Sequence, residues 1–69
     1  MTTKRYAITV AGRLSERFAA AFERTHMETG ADAQTRLITE PFDQPQLHGL
    51  LERLRDLDIE LVKVEEVRP

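Results

Sequence analysis

The residues best suited to chemistry in this chain are two histidines and one glycine-led turn. His26 lies two residues from Glu28, and His48 lies four residues from Glu52. On a strand and on a helix respectively, these spacings put an imidazole and a carboxylate on one face. That is the minimum for acid–base work or for a pair of metal ligands. Two ligand types do not make a metal site, and a solvated histidine beside a glutamate is common. We therefore expect no metal, no cofactor and no catalytic residue. Gly12-Arg13-Leu14-Ser15-Glu16-Arg17 leads from a strand into a helix start. Backbone N–H groups, the helix dipole and two arginines could hold a phosphate or carboxylate there. Gly12, Arg13, Ser15 and Arg17 are the candidate ligand-binding residues. The plainer expectation is that Ser15 only caps its own helix.

The elements that must position these residues follow from periodicity. Arg5 to Ala11 alternates, with Tyr6, Ile8 and Val10 on one face and Arg5, Ala7 and Thr9 on the other. Such alternation, with β-branched residues, predicts a strand with one buried face, ended by Gly12. Leu14, Phe18, Ala21 and Phe22 then recur at helical spacing, which predicts a short helix over about 15–24. Thr25 to Phe42 admits two readings. The helix could extend to Glu28, with one strand after a loop. The preferred reading is a hairpin, with strands Thr25–Thr29 and Gln34–Glu40 around the turn Gly30-Ala31-Asp32-Ala33. Threonines disfavour helix, and Gly30 offers a permissive backbone for the turn.

Phe42-Asp43-Gln44-Pro45-Gln46-Leu47 is a dense helix-start signal. Asp43 is the expected N-cap, Gln46 completes a capping box, and Phe42 and Leu47 form a hydrophobic staple. Pro45 sits in the first turn, where its missing N–H is harmless. Leu47, Leu50, Leu51, Leu54 and Leu57 give one apolar stripe, and His48 lies opposite it. Arg53 and Arg55 suit the negative end of the dipole. Gly49 early in the helix suggests close packing against the first helix or the sheet. Asp58 takes the turn, and Ile59 to Val67 is the last strand, with Leu61, Val62, Val64 and Val67 as its apolar positions.

The order strand, helix, strand, strand, helix, strand predicts one α+β domain over residues 1–69. The expected fold is a ferredoxin-like βαββαβ sandwich: a four-stranded antiparallel sheet with two helices on one face. Without the hairpin, the fallback is a three-stranded βαβαβ unit. A core this small commonly needs a staple, and the chain has no cysteine. One sheet face would be left open, drawing on Arg5, Ala7, Thr9, Lys63, Glu65 and alternate hairpin residues. Self-association as a homodimer or other homo-oligomer, through that open face or an edge strand, is the natural remedy.

Two resemblances bear on this. Val10-Ala11-Gly12-Arg13-Leu14-Ser15-Glu16-Arg17-Phe18 resembles the phosphate cradle of acylphosphatases, Gly-Arg-Val-Gln-Gly-Val-x-Phe-Arg. Here Glu16 replaces the second glycine, and Arg17 precedes Phe18 instead of following it. The chain also lacks asparagine, the family's catalytic residue type. The broader resemblance is to a group of short uncharacterised bacterial proteins. They share a closing segment, Asp-Gln-x-x-Leu-His-Gly-Leu-Leu-x-Arg-x-Arg-Asp-Leu, matched here by Asp43 to Leu57. That resemblance implies the hairpin reading and carries no activity with it.

Composition narrows the function further. Ten Lys+Arg against 12 Asp+Glu give a net charge of -2, which disfavours nucleic acid and anionic membranes as partners. Sheet-face RNA binding needs exposed aromatics, and the sole candidate, Tyr6, is expected in the core. No apolar run approaches a membrane span, and no signal-peptide core follows Met1, so a cytoplasmic location is expected. The expected function is a non-catalytic, self-associating interaction or accessory module, with a possible protein partner. The alternative is a small-molecule or anion-binding regulatory domain using Gly12–Arg17. An enzyme is not expected.

Overall fold

Alternation in the first strand is answered by a sheet that buries one of its faces under a helix. The computed structural model describes residues 2–15, 22, 24–30 and 32–68. The strands are β1 (Arg5–Ala11), β2 (Thr25–Thr29), β3 (Gln34–Thr39) and β4 (Leu61–Val67), and the helix is α1 (Gln44–Asp56). The sheet order is β2-β3-β1-β4, with every neighbouring pair antiparallel. This is an α+β fold with one helix among the described residues. The helix expected over about 15–24 falls mainly outside them.

The hairpin reading holds: Thr25 pairs with Thr39 and Thr29 with Thr35. The helical extension to Glu28, and with it the three-stranded fallback, is excluded. Gly30 plays a different part from the one expected. The left-handed residues of the turn are Asp32 (φ 53°) and Ala33 (φ 59°). Gly30 instead permits close approach. Its N–H donates to the Gln34 carbonyl at 2.8 Å, and a Cβ there would lie 3.1 Å from the same oxygen.

Helix α1 starts and stops by local rules. Asp43 Oδ1 accepts from the Gln46 N–H and Gln46 Oε1 accepts from the Asp43 N–H, each at 2.8 Å, closing the capping box. At the other end Asp58 is left-handed, with φ 58°. The Asp58 N–H donates to the Arg55 carbonyl at 3.0 Å and the Ile59 N–H to the Leu54 carbonyl at 2.9 Å. That pair of bonds is a Schellman motif, and Ile59 packs on the core as the motif's apolar follower does.

Leu47, Leu50 and Leu54 meet Tyr6, Ile8, Val10, Leu37, Phe22 and Phe42 in one core cluster. Ile8, Val10 and Leu37 are fully buried, so β1 and β3 form the centre of the sheet. The stripe does not bury all its leucines: Leu57 is exposed.

Candidate functional site

The turn after β1 is held from across the sheet. Gly12 has φ 87°, a conformation that favours glycine. Thr35, on the core-facing side of β3 with Leu37, is buried. Its hydroxyl donates to the Gly12 carbonyl at 2.9 Å and accepts from the Leu14 N–H at 3.1 Å. One backbone donor of the candidate anion turn is therefore committed to the protein itself. Gly12, Arg13 and Ser15 are exposed there; Arg17 and the expected helix start after Ser15 lie outside the described residues. Thr35 was not singled out from the sequence. The available signal was a hydroxyl at a core-facing strand position, which needs a partner when buried.

Two more threonines act alike. Thr39 Oγ1 accepts from the Tyr6 N–H at 3.0 Å, and Thr25 Oγ1 donates to the Phe22 carbonyl at 2.7 Å. Arg24, left-handed at φ 62°, stacks its guanidinium over the Phe42 ring at 5.5 Å and donates to Glu40 Oε2 at 3.2 Å.

The histidines do not meet. His26 pairs with Ile38, which pairs with Ala7, so it belongs to the sheet face turned away from α1. His48 is exposed on α1, on the other side. Among the described residues no group of three or more His, Asp or Glu side chains is placed to hold a metal ion. Gly49 is exposed, and apart from its chain neighbours and its own helix's backbone no described atom lies within 4 Å of where its Cβ would stand, so the other described elements supply no close packing there.

The open face has a defined shape. Register places Thr9 between Arg36 and Lys63, and Ala7 between Ile38 and Glu65. Small residues on the central strand thus form a floor between longer side chains. Ala7 and Thr9 are only 1% and 3% exposed although they lie on the face turned away from α1, the helix among the described residues. Charge on this face is locally matched: Arg36 Nη1 lies 3.8 Å from Glu28 Oε1, and Lys63 Nζ lies 2.6 Å from Glu65 Oε1. The Lys63 ammonium, by hydrogen bond and by charge, holds the Glu65 carboxyl below its ordinary range.

β4 closes the sheet order on one side, and there the apolar expectation changes. Leu61 and Val62 are each 44% exposed and Val64 is 37% exposed. They were read as the apolar positions of the last strand, yet they stand at its surface. A bulge between Thr9 and Val10 shifts the register, so that Lys63 pairs with Thr9 and Leu61 with Val10, which leaves Val62 unpaired. With Leu57 these residues form the exposed large apolar set of the described chain. No helix among the described residues is long and apolar enough to cross a membrane.

Residues 5–65, which include β1, β2, β3, the whole of α1 and β4 as far as Glu65, match the model of a domain of unknown function, DUF8691. The chain belongs to this family. The DUF8691 match takes in the Thr35-held turn, the open face and most of β4. No curated protein and no solved structure matches the chain.

Proposed function

We propose that this DUF8691 domain is a non-catalytic interaction module that works by associating with a second copy of itself. The observation that carries the reading is the exposure of Leu61, Val62 and Val64 on a strand at the end of the sheet order. An exposed apolar edge strand invites pairing with another chain. The limited core points the same way, since a domain of this size gains stability by covering such surface. The rival reading, an anion held at Gly12–Arg17, has less to draw on, because the Leu14 amide is spent on Thr35.

We also infer the ferredoxin-like sandwich. In two split β-α-β halves the third strand inserts between the first and second, and the β2-β3-β1-β4 order supports that arrangement. Ser15, Phe22 and the left-handed Arg24 are not helical, so the reading requires a helix between Ser15 and Phe22, shorter than the one expected over about 15–24, which backbone chemical shifts of that segment would test.

Light scattering across a concentration series tests the function. A dimer forming as concentration rises is the expected result. A strict monomer at the highest concentration reached would remove self-association.

A further inference from the structure

We propose that two copies join through β4 in one register, antiparallel about a two-fold axis through Val64. This rests on the self-association reading and names its interface. Around a two-fold normal to a sheet, residues set opposite each other must point to the same side of the pleat. Each such register is therefore centred on a residue, and only Lys63, Val64 and Glu65 give an overlap of five positions or more. Centring on Lys63 sets it against its own copy, and centring on Glu65 does the same with carboxylates. Like charges directly opposite are destabilising.

Centring on Val64 sets Val64 against Val64, and Lys63 of each copy against Glu65 of the other. Lys63 and Glu65 share the open face, since they pair with Thr9 and Ala7, whereas Val64 shares the α1 side with Ile8. Within one chain Lys63 and Glu65 already touch at 2.6 Å. The dimer would extend that pair into a rectangle of four charges alternating in sign. The two sheets would run on as eight strands, with both copies of α1 on one side.

The test separates cross-chain from within-chain pairing. Lys63→Glu and Glu65→Lys each place two like-charge pairs in the homodimer, and each is expected to weaken it on the order of tenfold. Both side chains are about half exposed, and circular dichroism checks that each variant folds. Mixed in equal amounts, the two variants form a heterodimer in which both cross-chain contacts again join opposite charges. The introduced glutamate of one chain faces the introduced lysine of the other, and the retained Glu65 faces the retained Lys63. Affinity should therefore return to the unmodified level. Restoration within one chain cannot produce this, because neither variant chain carries both signs at these positions. An unmodified dimer whose single variants associate normally, or whose mixture stays weak, overturns the register while self-association stands. A monomeric unmodified chain overturns both.

Discussion

The hydroxyl of Thr35 donates to the Gly12 carbonyl at 2.9 Å, so β3 fixes the turn that leaves β1. The same oxygen receives the Leu14 N–H. One buried hydroxyl thus satisfies two backbone groups that no ladder reaches. Thr35→Val keeps the shape and removes both bonds, and should lower unfolding stability by about 1–3 kcal/mol. Urea denaturation checks this. Thr35→Ser keeps the hydroxyl and should recover most of the loss; a loss in Thr35→Ser with none in Thr35→Val would show that the methyl, not the hydroxyl, matters.

Left-handed positions give opposite signs at two sites. Gly12→Ala has open space for its methyl, but φ 87° is strained for alanine, so a loss of about 1 kcal/mol is expected. Asp58 already bears such a conformation as the residue closing α1. Asp58→Gly should gain up to about 1 kcal/mol, because glycine adopts that Schellman position without the side-chain penalty. Thermal unfolding of the two variants in parallel reads both signs.

The capping box makes a local prediction. Asp43→Ala removes the acceptor for the Gln46 N–H and should cost about 1 kcal/mol. Asp43→Ser should cost much less. Amide exchange in the first turn of α1 should quicken in the alanine variant and leave the β1–β3 ladder unchanged.

Glu65 sets an acid-side pH dependence. Its carboxyl titrates below the ordinary glutamate range in the folded chain, mainly through the Lys63 hydrogen bond and charge. A depressed folded pKa means the unfolded chain takes up protons first as pH falls. The pair's small contribution is therefore full above the ordinary glutamate value of about 4.3, and is lost as pH falls through the lower folded value. Glu65→Gln should flatten that part of the stability profile. An unchanged acid limb would show that the ion pair adds nothing there.

How far the sequence could be read depends on the range of each rule. Asp43, Pro45, Gln46 and the leucine stripe act within a turn or two of helix, so α1 was legible almost to its ends. Tyr6, Ile8 and Val10 were legible as a buried face because strand alternation is also local. The hairpin was legible as a preference, but Gly30 was misassigned: its role comes from the Gln34 carbonyl opposite, which no local pattern reveals. The Thr35 and Thr39 bonds span 21 to 33 residues and depend on which strands become neighbours. The exposure of Leu61, Val62 and Val64 follows from the place of β4 in the sheet order, and composition alone reads them as core. The candidate turn was legible as a turn; its use of Thr35 was not.

The register of β1 also has a consequence in time. Arg5 pairs with Val67, so the first strand and the last are partners. Pairings between distant parts of a chain are slow to form, and a growing chain emerges from its N-terminal end. During synthesis β1 can meet β3 once Gln34–Thr39 has been made, but its other edge stays bare until β4 follows. The interval in which this domain is most open to wrong pairing is therefore written into its strand order, and it closes only with the arrival of the same strand proposed to join two copies.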